Sequence, residues 1–177
     1  IIHKLFPTPI FQFKVNDFEN LNSQLSDYIY GLKKDDVEGV QKSNVNGWHS
    51  KNFRIVDDKS PTYAFFQETK NYIMDVFKNY GWRYEPNKVR MTEMWAIINR
   101  KNNLNTAHTH PNNYLSAAYY VRAPKDCGNI QFHDPRAAPV YHHPIIDKPN
   151  NLNSNTVAIT PKEGLLVLFP SYINHSV

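Results

Sequence analysis

Two histidines separated by one residue precede an apolar run in the segment TAHTHPNNYLSAAYYV, residues 106–121. On an extended chain, side chains at i and i+2 share a face and lie about 6.6 Å apart along it, so His108 and His110 can reach one metal ion at about 2.1 Å. Histidine is the commonest metal ligand in proteins. Because it is also a common surface residue, the HxH pair alone permits chelation without requiring it.

A third histidine follows the apolar segment EGLLVLFPSYIN near the other end of the chain. His175 comes after a turn, a strongly apolar strand and a Phe-Pro corner, and a distant strand can bring its imidazole to the first pair. Alternatively, His175 caps a strand. Asp134, in FHDPR, is the best carboxylate to complete a metal site, although an aspartate before proline is more often a turn former.

The remaining histidines are weaker candidates for metal ligands. His142 and His143 are adjacent, so they would face opposite ways on a strand. His49, in a predicted loop, is interpreted as a surface residue or, less readily, a substrate contact, and His3 lies in the terminal segment. His133 lies next to a carboxylate, and one of these two neighbours is expected to point inward.

The first half of the chain predicts a strand and two helices. The alternating segment IFQFKV, residues 10–15, is typical of a strand. Asp17 is a candidate N-cap for a helix that ends near KKDD, and Ser60 with Pro61 begins a second helix that Gly81 ends. Apolar residues at helical spacing support both helices: Phe18, Leu21, Leu25, Ile29 and Leu32 in the first, and Phe66, Ile73, Phe77 and Tyr80 in the second. The intervening residues 35–59 predict a loop with a short strand at 53–56.

After residue 81 the sequence predicts strands without intervening helices. Five β-rich runs are separated by turn residues: VRMTEMWAIINR, YLSAAYYVR, NIQFHD, NTVAITP and EGLLVLFPS. Short strands at this spacing favour a sandwich or jelly roll, with the two helices packed outside. The predicted fold class is therefore mainly β with flanking helices.

Composition favours one compact domain and excludes several function classes. The chain has 177 residues, 41% of them hydrophobic. Its net charge of +4 arises from interspersed acidic and basic residues, so we expect no nucleic-acid partner. No apolar run is long enough for a membrane span, and no secretory signal is visible, although a start at Ile1 without Met leaves a removed segment open. Because the lone Cys127 favours a reducing compartment, we expect a cytoplasmic protein. The absence of a GxSxG motif or a glycine-rich phosphate loop argues against nucleophilic or nucleotide hydrolysis.

Three motifs in order, HTHPNNYLSAAYYV, GNIQFHDPR and EGLLVLFPSYINHSV, together with the opening LFPTPIFQF, resemble 2-oxoglutarate- and Fe(II)-dependent oxygenases of bacteria and phages. The resemblance covers most of the chain. It implies a double-stranded β-helix, or jelly roll, in a single domain over residues 1–177. Residues 1–81 would form a strand-helix-loop-helix support, and 82–177 a jelly-roll core cut short at its C-terminus. A phage-encoded protein would act in the host cytoplasm.

Oxygenases of this wider superfamily hold iron with an HxD/E pair and a distal histidine, which leaves three positions open for cosubstrate and oxygen. By position, His108 matches the first ligand and His175 the distal one, whereas His110 stands where a carboxylate is usual. Three outcomes stay open. Iron is held by the three histidines, Asp134 supplies the carboxylate, or the site keeps its metal without oxygenase chemistry.

The resemblance implies Fe(II) as cofactor and 2-oxoglutarate as cosubstrate, with O2 and an unidentified small-molecule or protein substrate that is hydroxylated while succinate forms. The superfamily commonly anchors the far carboxylate of 2-oxoglutarate with a basic residue beyond the distal histidine. We expect that anchor beyond Val177 or elsewhere in the fold. Tyr120 resembles a tyrosine that contacts this carboxylate in prolyl hydroxylases, and Ser116 and Arg122 on the same strand face are weaker candidates.

Two other interpretations stay open. A cupin-like dioxygenase with three histidine ligands and no 2-oxoglutarate would share the jelly roll and both histidine motifs. A non-catalytic β-sandwich binding module would carry the histidines incidentally. If the protein is an enzyme, whether 2-oxoglutarate-dependent or cupin-like, residues 35–59 and 137–155 are the expected lids over the site.

Overall fold

The computed structural model describes residues 1–53, 59–137, 141–142 and 144–177. Two helices lie in the first half of the chain, α1 at Phe18–Asp35 and α2 at Pro61–Tyr80, and a short 3-10 turn spans Pro86–Lys88. The strands, in chain order, are β1 Phe11–Lys14, β2 Asn44–Val45, β3 Trp48–His49, β4 Ile97–Ile98, β5 Leu104–Asn105, β6 Leu115–Tyr119, β7 Ile130–His133, β8 Thr156–Ile159, β9 Leu165–Pro170 and β10 His175–Ser176.

Two three-stranded antiparallel sheets carry the core of the fold. Their strand orders are β1-β9-β6 and β10-β7-β8, and two smaller antiparallel pairs join β2 to β5 and β3 to β4. The mainly β fold class with two helices is thereby confirmed. The arrangement is consistent with a double-stranded β-helix. Within the described ranges, neither helix is long and apolar enough to cross a membrane.

Strand β9 is the centre of its sheet and is covered on both faces. Leu166 and Leu168 pack toward the helices, in a cluster with Val15, Leu21, Leu25 and Val76. Val167 and Phe169 point the other way, in a cluster with Ile130, Phe132, Ile159 and Ile173. A strand buried on both faces has no polar side to its alternation, which explains the continuous apolar run LLVLF.

The turn before β9 fixes where that strand enters the sheet. Gly164 has a φ of 75°, and its amide donates to the Tyr120 carbonyl at 2.9 Å while its own carbonyl accepts from the Val15 amide at 2.9 Å. A Cβ atom at this position would overlap the Phe18 ring. Glycine is therefore required both by the left-handed backbone and by the close approach of α1.

The predicted boundaries of α2 are confirmed. The Ser60 Oγ accepts a hydrogen bond from the Tyr63 amide at 3.1 Å, Pro61 occupies the first turn, and Gly81 ends the helix in a left-handed conformation. In α1, the predicted capping role of Asp17 is wrong. This residue does precede the helix, but its φ of 46° and ψ of 34° are left-handed and its side chain makes no capping hydrogen bond. A capping side chain requires the extended backbone that Asp17 lacks.

The buried stripe of α2 differs in part from the predicted one. Its fully buried residues are Thr62, Thr69 and Val76. Ile73 and Tyr80 of the predicted stripe do pack against the helix-side core. Phe77 contacts the Trp82 ring instead, with centroids 5.2 Å apart. Spacing alone could not show this, because Trp82 lies beyond the helix and its position depends on the chain path after Gly81.

The long strand expected in VRMTEMWAIINR is wrong, since only Ile97–Ile98 is a strand. The preceding residues bond irregularly to residues 50–53, which follow β3. The Ala96 carbonyl accepts from the Ser50 amide at 3.0 Å, but the Ala96 amide donates to the Ser50 hydroxyl, also at 3.0 Å, which interrupts the ladder. The strand predicted at 53–56 lies, apart from Phe53, outside the described residues, as do parts of both expected lids.

Candidate metal centre

The backbone brings the HxH segment alongside the turn between β9 and β10. The amide of His108 donates to the His175 carbonyl at 3.0 Å, and the amide of His175 donates back to the His108 carbonyl at 3.0 Å. The amide of His110 donates to the Ser171 carbonyl, also at 3.0 Å. Residues far apart in sequence are thus fixed as neighbours by main-chain hydrogen bonds.

The same bonds bring three imidazole rings together. The centroid of His175 lies 4.3 Å from that of His108 and 4.9 Å from that of His110, and the latter two are 5.2 Å apart. One nitrogen of each ring lies within 4.8 Å of the corresponding nitrogens of the others. His175 is only 5% exposed, and the other two histidines are partly buried. This spacing suits three ligands of one ion.

Each of the three rings has its Nδ1 atom beside a protein oxygen. His108 Nδ1 lies 2.8 Å from the Thr106 carbonyl and His175 Nδ1 lies 3.1 Å from the Ile173 carbonyl. Because a carbonyl can only accept, these two rings donate from Nδ1 and keep the lone pair on Nε2. His110 Nδ1 lies 2.7 Å from the hydroxyl of Ser116. Histidines that bind metals are typically oriented in this way by a bond to their second nitrogen.

The Nε2 atom of His110 is buried and has no hydrogen-bond partner among the described residues. A buried polar atom without a partner costs on the order of 1–3 kcal/mol. A cation among the three rings would satisfy this atom. The donor set, its spacing and this unpartnered nitrogen therefore fit a divalent transition-metal ion.

The local electrostatics favour the neutral form of His110 and His175, which is the form that binds metals. The pKa of His175 is lowered to about 4, mainly by burial. The hydrogen bond to the Ile173 carbonyl opposes this shift, and the nearby His108, His110 and His133 contribute to it. Burial is also the main cause that lowers the pKa of His110, with His108 adding to it and the Glu93 carboxylate opposing it.

Aromatic side chains surround the histidine cluster. Phe169 of β9 lies with its ring centroid 4.7 Å from that of His175 and 6.3 Å from that of His110. The Trp95 ring makes an edge contact with His110, with centroids 5.4 Å apart. These rings exclude water from part of the cluster and strengthen any electrostatic interaction inside it.

A fourth histidine lies behind Trp95. The His49 ring stacks on Trp95 with centroids 5.7 Å apart and an interplanar angle of 13°, and its Nδ1 lies 2.6 Å from the Ser50 carbonyl. It is 5% exposed, so the predicted surface position is wrong. Its burial follows from the pairing of β3 with β4, which the sequence did not reveal. Burial lowers the pKa of His49, and Lys42 and His108 add to that effect.

Asp134 lies outside this histidine group. Its carboxylate forms a two-pronged pair with Arg136, at 3.0 Å from Nε and 2.8 Å from Nη2, and also accepts the Arg136 amide at 2.9 Å. The hydrogen bonds from Arg136 lower the pKa of Asp134. Both carboxylate oxygens are thus engaged by a neighbouring residue.

The three residues predicted to contact cosubstrate lie in different surroundings. Ser116 is buried against His110, and Tyr120 packs against the second-sheet core, where burial raises the pKa of its hydroxyl. Arg122 is exposed, and its guanidinium carbon lies 6.0 Å from the ring centre of Tyr30 in α1. Of the three, only Ser116 touches a histidine of the cluster by a described contact.

Among the described residues, the group that could hold a metal contains no histidine besides the three of the cluster. His3 and His142 are exposed, and His143 lies outside the described residues. His133 on β7 has its Nε2 atom 3.1 Å from the hydroxyl of Ser176. The expectation that 142 and 143 face opposite ways stays a prediction.

Comparison with known proteins bears on the segment that holds the cluster. Residues 93–177, a little under half of the chain, match the family model described as "Putative 2OG-Fe(II) oxygenase". A search of curated proteins found no match. The matched segment contains His108, His110 and His175 and most of the strands around them. Over residues 93–177 this chain is therefore similar to that family of 2-oxoglutarate- and Fe(II)-dependent oxygenases.

Proposed function

We propose that this protein is a 2-oxoglutarate- and Fe(II)-dependent dioxygenase whose metal is held by His108, His110 and His175. The observation that supports this most directly is the convergence of three imidazoles whose Nδ1 atoms already have oxygen partners. When bound, Fe(II) with 2-oxoglutarate would supply oxidative chemistry that couples formation of succinate to hydroxylation of a small-molecule or protein substrate.

The ligand set itself is neutral, which distinguishes it from the usual pair of histidines with one carboxylate. Three uncharged imidazoles leave the whole charge of a divalent ion to be balanced by other groups. 2-Oxoglutarate is a dianion and provides that balance at the metal. We therefore expect cosubstrate and metal to bind with strong mutual dependence.

Tyr120 is the proposed contact for the far carboxylate of 2-oxoglutarate. One face of β6, continued by the residue that follows it, is directed at the second sheet. It carries Ser116, Ala118 and Tyr120, which alternate along the chain with residues that face the helices. Ala118 contributes only a methyl group between the other two. Burial keeps the pKa of the Tyr120 hydroxyl above its usual range, so it is a hydrogen-bond donor at neutral pH. Arg122, exposed beside α1, is the weaker candidate.

The aromatic surroundings have a separate proposed role in the reaction. Phe169 contacts the ring of His175, and Trp95 contacts the ring of His110. Exclusion of water by such side chains protects an oxidising site from unproductive reactions. The substrate would then approach by the part of the cluster that these rings leave open, beside the partly exposed His108.

Anaerobic titration with Fe(II), with and without 2-oxoglutarate, tests this proposal. We expect a metal-to-ligand charge-transfer band that requires both additions. The band is expected to disappear in His108→Ala and to persist in His3→Ala, which removes an exposed histidine far from the cluster in sequence. Succinate formed under oxygen would then report turnover.

Two outcomes would contradict the proposal. An unchanged band in His108→Ala would place the metal elsewhere. Stoichiometric iron binding without any response to 2-oxoglutarate would instead favour a dioxygenase with three histidine ligands and no 2-oxoglutarate. The all-imidazole cluster is the observation that supports this second candidate.

A further inference from the structure

The three histidines of the cluster differ in how their Nδ1 atoms are held. His108 and His175 face backbone carbonyls, whereas His110 faces the Ser116 hydroxyl at 2.7 Å. A carbonyl accepts and never donates, so it permits one tautomer of a neutral ring. A hydroxyl can accept or donate. The hydroxyl alone therefore leaves two tautomers open to His110.

A second hydroxyl lies directly behind the first. The Oγ atoms of Ser116 and Ser171 are 2.7 Å apart, and both residues are buried, with exposures of 8% and 0%. His110, Ser116 and Ser171 thus form a continuous chain of short hydrogen bonds. The chain links one ligand candidate to the end of the central strand β9.

Ser171 also holds the backbone around His110. Its carbonyl accepts from the His110 amide at 3.0 Å, and its own amide donates to the Tyr114 carbonyl at 3.2 Å. The loop between His110 and Ser116 is therefore fastened at Ser171 by main-chain and side-chain bonds. This arrangement gives the hydroxyl chain a fixed geometry rather than a movable one.

The direction of the hydrogen bonds decides whether His110 can bind a metal. In one direction, Nδ1 donates to Ser116, Ser116 donates to Ser171, and the Nε2 lone pair points at the cluster. In the reverse direction, Ser171 donates to Ser116, Ser116 donates to Nδ1, and Nε2 carries a buried hydrogen. That hydrogen has no acceptor among the described residues, which disfavours the reverse direction.

We propose that Ser116 and Ser171 are positioning residues that form a hydroxyl relay and select the metal-binding tautomer of His110. The inference rests on the proposed function in taking His110 as a ligand. It adds that His110, which stands where a carboxylate is usual, is oriented by side chains, whereas His108 and His175 are oriented by backbone carbonyls. The affinity of the centre is thus adjustable at positions that do not touch the metal.

The relay is tested by the tautomer of His110 and by metal affinity, measured without turnover. Histidine ¹⁵N chemical shifts of the metal-free protein report the tautomer of each ring. Competition titration with Zn(II), a diamagnetic probe, reports affinity. Ser116→Ala is expected to mix the tautomers of His110 but not those of His175, and to weaken Zn(II) binding roughly 10- to 100-fold.

Further variants separate a relay from a merely structural role. Ser116→Thr keeps the hydroxyl and is expected to restore the wild-type tautomer and affinity. Ser171→Ala is expected to weaken Zn(II) binding less than Ser116→Ala, and to add nothing in the Ser116→Ala background, because the relay acts through Ser116. Ser26→Ala removes a buried hydroxyl from α1 and is the matched control, expected to bind Zn(II) as the wild type does.

The outcomes distinguish this inference from the proposed function. A wild-type protein that binds no Zn(II) would refute the metal centre, and the inference with it. Normal Zn(II) binding with an unchanged His110 tautomer in Ser116→Ala would refute the relay alone. If Ser116→Ala does not fold, Ser171→Ala provides the test. A wild-type His110 tautomer together with wild-type Zn(II) affinity in that variant would equally refute the relay.

Discussion

Strand β9 presents Leu166 and Leu168 to the helices, and Val167 and Phe169 to the second sheet. On the helix side, the buried members of the cluster are all aliphatic, and partly buried aromatic side chains pack around them. On the other side, the apolar cluster continues through the Phe169 ring to His175 and His110. Successive residues of β9 therefore point alternately to a face that only stabilises the fold and to a face that also contacts the histidines.

The difference predicts that stability and the affinity of the proposed metal centre can be changed separately along a single strand. A substitution on the helix face alters packing on the side of the sheet opposite the histidine cluster. A change on the other face alters side chains in ring contact with the histidines. Substitutions at neighbouring positions of β9 should therefore have qualitatively different effects.

The largest expected effect comes from the helix face. Leu168→Ala removes a fully buried side chain and is expected to lower the free energy of unfolding by about 2–5 kcal/mol. Zn(II) affinity of the protein that remains folded is expected to stay within a few-fold of wild type. Urea denaturation and Zn(II) competition measure the two quantities.

The matched substitution on the opposite face is Phe169→Leu. Because it removes the ring that contacts His175 and His110, we expect roughly tenfold weaker Zn(II) binding with a smaller loss of stability than Leu168→Ala. The comparison between the two faces would break down if Leu168→Ala weakened Zn(II) binding as much as Phe169→Leu did.

An acid-dependent loss of stability is expected next, and it belongs to the histidine face. The pKa of His175 is about 4 in the folded protein and about 6.5 when unfolded. Below pH 6.5, His175 binds a proton in the unfolded chain but not in the folded protein. Its contribution to stability is therefore complete above this pH and is lost as the pH falls toward 4. Between pH 7 and pH 5 the metal-free protein should lose about 2 kcal/mol.

Urea denaturation of the metal-free protein at both pH values measures this loss. His110 and His49, whose pKa values are also lowered, act in the same direction. In His175→Gln, which has no titrating ring at this position, the loss should be clearly smaller. An equal loss in wild type and variant would show that His175 is not the group responsible.

The smallest expected effect lies at the start of α2, remote from the cluster. Ser60→Ala removes the hydroxyl that accepts from the Tyr63 amide and should cost about 1 kcal/mol of stability. Thermal unfolding measures it, with Ser60→Asn as a variant that retains a capping side chain. A change in Zn(II) affinity on this substitution would argue against the separation of the two faces.

Features set by local chain geometry were predictable from the sequence. The period of two in an extended chain placed His108 and His110 on one side, and the apolar run before His175 predicted a buried strand, now β9. The Ser60-Pro61 pair and Gly81 marked the ends of α2 because capping depends on adjacent residues. In each case the signal lay within a few residues of the feature.

Features set by tertiary pairing were not predictable in this way. His49 is buried because two-residue strands pair β3 with β4, and so short a strand has no periodicity to detect. Trp95 and Ser171 reach the cluster through the same kind of distant contact. Ser116 was a weaker candidate for a cosubstrate contact, and that role stays a prediction. The bond between its hydroxyl and His110 could not be predicted, because it depends on the path of the loop between the two residues.

The paired backbone hydrogen bonds between His108 and His175 tie two of the proposed ligands together at the start of β10. Any fluctuation that detaches β10 from the HxH segment also separates the imidazoles. An ion bound between them would therefore hold this strand in place. Because the ion could leave only when β10 detaches, the rate of ion dissociation and the rate of local unfolding of β10 should be the same.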